Sequence, residues 1–200
     1  MSNLTEIPLF PLRTVLFPGG QLPLRIFEPR YLDLVRNCLR DDSGFGVVLI
    51  RDGDEARLSD EFQSPLVFQV GTEAKIVDFN QLSDGLLGIV AHGGRKFRLL
   101  ESRVAEDNLQ WGRVEFLSPE APAAVSDDYE DLVALLRELT QHPLVAKLKL
   151  EVNYEDAASV GCRLAELLPI EPEIKQSLLQ LNTPRERLAE LDRLLEKLRS

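Results

Sequence analysis

The sequence has 200 residues, 44% hydrophobic and 28% charged, which is typical of a globular chain with one domain or two small ones. Its net charge of -10 argues against nucleic acid or an anionic membrane as the partner, because phosphate binding depends on lysine and arginine. The N-terminus lacks a basic segment followed by a long apolar one, and no stretch reaches the ~20 apolar residues of a membrane helix. We therefore expect a cytoplasmic protein.

Residues 8–31, PLFPLRTVLFPGGQLPLRIFEPRY, form an apolar run that is interrupted by Pro8, Pro11, Pro18, Pro23 and Pro29. Proline has no N–H and a fixed φ, so this run cannot form one long strand or one long helix. The pattern predicts short extended pieces, with the chain turning at each proline.

A helix is predicted to follow, with Pro29 in its first turn. One apolar face is formed at helical spacing by Tyr31, Leu34, Val35, Cys38 and Leu39. The polar residues of the same segment are predicted to point elsewhere: Arg30, Asp33, Arg36 and Arg40. We expect this helix to plug one side of a barrel.

Short apolar runs separated by turn residues predict strands at 45–50, 66–70, 72–79, 86–92 and 111–117. Gly71 is expected to separate the second of these strands from the third. Gly93 and Gly94 are expected to interrupt the extended structure before RKFRLLESR. Many short strands with regularly spaced turns indicate a barrel or a sandwich.

The pattern changes to helical near residues 118–128, which predicts a β-rich unit at 1–118 and a helical bundle at 119–200. Four helices are expected in the second part. Asp127 and Asn153 are the predicted caps of the first two, and Pro172 fits the first turn of the third. Thr183 to Glu186 form a capping box before a stripe of leucines at 188, 191, 195 and 198, which we expect to pack on neighbouring helices.

Motifs of catalysis and metal binding are absent from the sequence. His92 and His142 have no companion at metal-ligand spacing, and Cys38 and Cys162 are expected to be reduced, buried thiols. There is no GxSxG, HExxH, GxGxxG or GxxxxGK[ST] motif. We therefore expect no enzyme activity, no cofactor and no metal.

The segment IPLFPLRTVLFPGGQLPLRIFEPRYLDLV resembles the Lon protease N-terminal (substrate-binding) domain family, especially its stand-alone bacterial members and the corresponding domain of cereblon. The resemblance continues through residues 44–50, 70–79, 88–101 and 164–195. It implies an α+β fold, a β-rich PUA-like pseudobarrel with a plug helix followed by a helical bundle. It also implies binding of unfolded or exposed polypeptide segments or of a protein partner, and the ATPase and protease domains of a full Lon protease are expected to be absent.

The candidate site residues that match the family pattern are Arg25, Glu28, Arg30, Tyr31, Arg95 and Phe97. They form either a buried ion-pair network that holds the plug helix to the barrel or the lining of a peptide cleft, and we favour the structural role. Glu28 is also expected to cap the helix. On this basis Glu28→Ala should lower stability, whereas Glu61→Ala should change little.

Two other functions remain open. One is a nucleic-acid-binding PUA-like module that uses Arg95, Lys96 and Arg98, although alternation along a strand would divide these charges between two faces. The other is a small-molecule hydrolase or sensor with a cleft between barrel and bundle, for which the sequence offers no nucleophile–base pair.

Overall fold

The structure, a computed structural model, describes residues 4–53, 65–148 and 150–199. Its residues group into two compact units, Met1–Ser118 and Pro119–Ser200. The first unit is rich in strands and the second is helical, so the predicted α+β class is confirmed.

The described part of the first unit contains a seven-stranded sheet and one helix, α1, at Pro29–Asp41. The strands are β1 Leu4–Leu12, β2 Gln21–Ile26, β3 Phe45–Asp52, β4 Leu66–Val67, β5 Val70–Gln81, β6 Leu87–Val104 and β7 Gln110–Phe116. The hydrogen-bonded order is β1-β7-β6-β5-β3, and a parallel pairing of β3 with β1 closes these strands into a ring. Strand β2 lies outside the ring and pairs with β6.

Phe97 of β6 is fully buried, together with Ile7, Leu9, Val48, Leu99 and Val114. Two glycine backbones approach its ring closely. A Cβ at Gly46 would lie 2.7 Å from Phe97 Cζ, and a Cβ at Gly71 would lie 2.6 Å from the same atom. The phenyl ring therefore occupies the space that side chains at these two positions would need.

Helix α1 packs against a second cluster through Tyr31, Leu34, Val35 and Cys38, and the Tyr31 ring stacks on Phe10 with centroids 3.9 Å apart. The predicted apolar face is confirmed for these four residues. It is wrong for Leu39, which is 44% exposed, because this residue lies in the last turn of the helix, which ends at Asp41, outside the cluster. Arg30, predicted to point away, is buried because its guanidinium has partners within the unit.

The prediction that every proline turns the chain is wrong for three of the five. Pro8 and Pro11 lie inside β1, and Pro23 lies inside β2. These positions tolerate proline because each pairs with a strand on one side only, so one edge needs no N–H donor. Pro18 does occupy a turn, which Gly20 N–H closes onto Phe17 O at 2.9 Å.

The predicted interruptions at glycines are also wrong. Gly71 lies inside β5, and β6 continues through Gly93 and Gly94. Gly93 is required there by a close backbone approach, because a Cβ would lie 2.2 Å from Phe17 O. The backbone of Gly93 exchanges hydrogen bonds of 2.8 Å with Gly19 and Gly20.

In the described part of the second unit, a 3-10 turn at Asp127–Tyr129 precedes five α-helices, one more than predicted. They are α2 Glu130–Gln141, α3 Pro143–Ala146, α4 Ala157–Leu167, α5 Pro172–Gln180 and α6 Pro184–Arg199. The additional helix, α3, is a single turn, and Nδ1 of His142 accepts a hydrogen bond from the backbone N–H of Leu144.

The capping predictions for this unit had mixed outcomes. Asp127 lies in the 3-10 turn and does not cap α2. Helix α4 is capped by Asp156, which accepts from Ser159 N–H. Asn153 lies four residues before the helix and accepts from Glu155 N–H.

The starts of the last two helices are confirmed. Pro172 begins α5. Thr183 and Glu186 exchange two hydrogen bonds of 3.2 Å, which is the predicted capping box. In the leucine stripe of α6, Leu188 and Leu191 are buried, and the side chain of Leu198 lies outside the described residues.

Replacing Phe97 with alanine is expected to lower the free energy of unfolding of the strand-rich unit by about 3–5 kcal/mol, because it leaves a cavity inside the ring. Urea titration monitored by the fluorescence of Trp111, the one tryptophan and a residue of β7, measures this change. The control is Phe79→Ala, since Phe79 is 59% exposed on β5. Equal effects of the two substitutions would contradict the packing described above.

Candidate functional site

The candidate site is a cleft of about 740 Å³ in the strand-rich unit. It is bounded by the first half of β1, the second half of α1 with the turn that follows it, and parts of β5, β6 and β7. Two aromatic side chains, Trp111 and Phe116, line it and are half-buried. Ligand sites are usually lined by apolar and aromatic side chains with a few polar groups, and this cleft has residues of both kinds.

The cleft lies where strand pairing in the ring is incomplete. Strand β3 pairs with β1 only from the Leu9 and Gly46 pair onward, and it is preceded by the turn from α1. Residues 4–8 of β1 pair with β7 on one side and with no described strand on the other. Four residues of this segment, Thr5 to Pro8, line the cleft.

Arg95 lies in this cleft over the first of two aromatic rings that contact each other. Its guanidinium carbon is 3.8 Å from the centroid of Phe116, which in turn meets the buried ring of Phe97 edge-on at 6.4 Å. Glu73 fixes the guanidinium by accepting hydrogen bonds of 3.1 and 3.4 Å from Nε and Nη2. The packing of Phe97 and Phe116 thus helps to position the half-exposed guanidinium of Arg95 in the cleft.

The other charges that line the cleft are nearly balanced. Asp41 accepts hydrogen bonds of 2.8 and 2.9 Å from Arg40, and Lys75 lies 3.7 Å from Asp42. The hydrogen bond from Arg40 lowers the pKa of Asp41, and that from Arg103 lowers the pKa of Glu6, so both carboxyls stay ionised at neutral pH. Because these charges are paired locally, the rim of the cleft is polar but has no strong electrostatic potential of either sign.

Glu28, Arg30 and Tyr31 lie at the opposite end of α1 from the cleft. Arg30 donates from Nε to Glu28 Oε2 at 2.9 Å and from Nη1 to the carbonyl of Asn108 at 3.0 Å, while its guanidinium lies over the Tyr31 ring. Asn108 belongs to the turn between β6 and β7 and has a φ of 64°. Arg30 therefore connects the first turn of α1 to that turn.

The expectation that Glu28 caps α1 is wrong. Glu28 occupies the N-cap position, but its side chain makes no capping hydrogen bond. Its carboxylate points to Arg30 instead, and the two side chains are only 10% and 6% exposed. The carboxylate is engaged in a charge-assisted hydrogen bond with the Arg30 guanidinium.

The remaining predicted residues lie in different places. Arg25 is exposed on β2 and pairs with Asp84 in the turn between β5 and β6. Phe97 lies in the interior of the ring. Of the six predicted site residues, Arg95 alone lines the cleft. Glu61, the proposed control position, lies outside the described residues.

Sequence reasoning missed the aromatic side chains of the cleft and one buried cation. The sequence pattern places Trp111 and Phe116 on the last predicted strand and does not mark them as site residues. In the second unit, the fully buried Arg187 donates to both carboxylate oxygens of Glu120, at 2.9 and 2.5 Å, and to the carbonyl of Leu178. Burial alone would lower the pKa of Arg187, but the hydrogen bonds and charge of Glu120 raise it. No sequence signal distinguished this arginine from the surface charges of α6.

Two further observations restrict the chemistry of the described residues. None of their histidine, cysteine, aspartate and glutamate side chains form a group of three or more that could hold a metal ion. None of the described helices is long and apolar enough to cross a membrane.

Comparison with known proteins identifies the family. Residues 6–197 match the family described as the ATP-dependent protease La (LON) substrate-binding domain. The chain therefore belongs to the family of Lon substrate-binding domains, and the predicted resemblance is confirmed at this level. The similarity to cereblon stays a prediction.

Solved structures of related domains extend this result. A Lon N-terminal domain protein from Xanthomonas campestris is 39% identical, with 94% of this chain and 96% of that chain covered and a TM-score of 0.76. The N-terminal domain of the Lon protease from Mycobacterium avium complex has a TM-score of 0.59 over 94% and 96% of the two chains at 17% identity, which supports the fold alone.

Among curated proteins, the Lon protease of Cytophaga hutchinsonii is 28% identical over 200 residues, which is 96% of this chain and 24% of that protein. The Lon protease of Flavobacterium johnsoniae is 25% identical over 92% of this chain and 23% of its own length. The chain thus spans about a quarter of the length of the curated relatives it matches.

Removing the Glu28 carboxylate is expected to destabilise the strand-rich unit, because it leaves the buried Arg30 guanidinium without its anionic partner. Glu28→Ala should cost about 3–5 kcal/mol, as is typical when one member of a buried pair is removed. Chemical denaturation followed by Trp111 fluorescence measures the loss.

The matched control is Glu101→Ala, which removes an exposed partner of Arg113 and should cost no more than about 1 kcal/mol. If Glu28→Ala were as stable as this control but lost polypeptide binding, Glu28 would belong to the recognition site rather than to the scaffold.

Proposed function

We propose that this chain is a non-enzymatic module that binds unfolded or exposed polypeptide segments, and that the cleft lined by Arg95, Trp111 and Phe116 is its binding site. Membership in the Lon substrate-binding domain family carries the proposal. The cleft adds a location with accessible aromatic surface and paired charges, which suits side chains of varied chemistry.

The absence of a reactive group among the described residues of the cleft supports a binding role. Its lining includes no histidine, and its one thiol, Cys38, is buried. Desolvation raises the pKa of Cys38, so the thiol stays protonated at neutral pH and is a poor nucleophile. This environment favours contact with a polypeptide over its hydrolysis.

We also propose a more detailed architecture for the two units. The closed ring of strands with α1 against it agrees with a PUA-like pseudobarrel over residues 1–118, and the five helices agree with a bundle over residues 119–200. A cytoplasmic location is part of the same proposal.

Nucleic-acid binding is not favoured. Of the three basic residues considered for it, Lys96 is buried and Arg95 is paired with Glu73, which leaves Arg98 exposed on β6. Such a dispersed set does not form the basic patch that phosphate binding requires.

Blocking the cleft should weaken polypeptide binding without affecting the fold. Asn37 is exposed on α1 and lines the cleft, so Asn37→Trp is expected to weaken binding of reduced, carboxymethylated lysozyme by about tenfold or more. Fluorescence anisotropy of the labelled lysozyme measures the affinity, and thermal unfolding checks the fold.

The adjacent residue supplies the control. Arg36 is exposed on the same helix but does not line the cleft, so Arg36→Trp should bind like the unmodified chain. If neither the unmodified chain nor the control bound the unfolded protein saturably, the proposed function would be wrong. Equal binding by all three proteins would instead place the site elsewhere.

A further inference from the structure

The strand β1 has one edge along the cleft that is not hydrogen-bonded within the described sheet. Its residues 4–8 pair with β7, from Leu4 opposite Glu115 to Pro8 opposite Trp111. Its pairing with β3 starts only at Leu9. The opposite edge of residues 4–8 therefore presents backbone groups to the cleft, and such an edge is a template for another strand.

Trp111 and Phe116 are five residues apart on β7, the strand next to this segment of β1, so alternation places them on opposite faces of the sheet. On one side, Trp111 packs against the cluster that contains Leu34 and Cys38 of α1. On the other side, Phe116 packs against the cluster that contains Ile7, and carries Arg95 above it. Side chains of a strand point alternately to its two faces, so an added strand would direct every second residue toward Trp111 and the others toward Arg95.

We propose that a polypeptide segment binds in extended form by adding a strand to the edge of β1 at residues 4–8. This inference rests on the proposed function and specifies its mode. Main-chain hydrogen bonds would supply affinity that is independent of sequence, which is what a receptor for diverse segments needs. The side chains toward Trp111 would be apolar, and those toward Arg95 and Glu73 would be small and polar.

The rim itself selects the charge of a segment only weakly. Acidic side chains in the lining outnumber basic ones by one, and three of the four acidic ones have a basic partner within the lining. The whole chain carries a net charge of -10, which adds a long-range attraction for positive segments. The preferred occupant is thus an extended segment with apolar and small polar residues in alternation and basic residues at its ends.

The decisive probe is a short synthetic peptide of alternating valine and threonine with lysine at both ends. Two derivatives carry backbone N-methyl groups, one at the valines and the other at the threonines, so that each blocks one edge of the extended peptide. Strand addition predicts that one derivative loses about tenfold or more in affinity and the other binds like the parent. Equal affinities of the two derivatives, whether retained or lost, would overturn the proposal.

Hydrogen exchange of the full chain gives a second readout. Peptide binding should slow amide exchange within residues 4–7 of β1, and unchanged exchange there with bound peptide would contradict strand addition. If carboxymethylated lysozyme bound but the peptide tests failed, the binding mode alone would be wrong. If lysozyme did not bind at all, the proposed function itself would fail.

A pair of charge variants tests the preference for cationic segments. Lys75→Glu, in the cleft, and Arg98→Glu, exposed outside its lining, change the net charge equally. The peptide should bind Lys75→Glu several-fold more tightly and Arg98→Glu with little change. The same affinity for both variants would show that the rim does not select the charge of the segment.

Discussion

The contact between the Phe97 ring and the glycine backbones at positions 46 and 71 determines the geometry of the strand-rich unit. A closed ring of few strands has room for little more than its own side chains. The Phe97 ring fits among these side chains only because positions 46 and 71 have no Cβ. Phe116 then meets the edge of Phe97, and Arg95 lies on Phe116, so the packing of the interior extends to the surface of the cleft.

Helix α1 links the cleft to the predicted residues at the start of the helix, Glu28, Arg30 and Tyr31. Its first turn is held by the buried pair of Glu28 and Arg30, and Arg30 reaches the turn between β6 and β7. Its last turns form one wall of the cleft. The motif residues at the start of the helix therefore act on the cleft by positioning the helix, and those on β6 act by positioning a charge.

Much of this organisation could be predicted because it follows from local rules. Helical spacing identified the face of α1, and the capping box identified the start of α6. The sequence pattern also predicts the strands, but β1, β2, β5 and β6 continue through prolines and glycines that were expected to end them. Whether proline fits a strand depends on which edges are paired, and whether a glycine marks a turn or a close approach depends on distant chain segments such as that at Phe17. The cleft could not be predicted, since it arises from where β3 begins relative to β1.

The central claim, that the cleft binds unfolded polypeptide, is tested most directly by amide NMR of the full chain during titration with reduced, carboxymethylated lysozyme. The account predicts that the largest shift changes map to the first half of β1, the last turns of α1, and the β7 residues Trp111 and Phe116. Largest changes among the helices of Pro119–Ser200 or along β2, with the cleft signals unmoved, would contradict it.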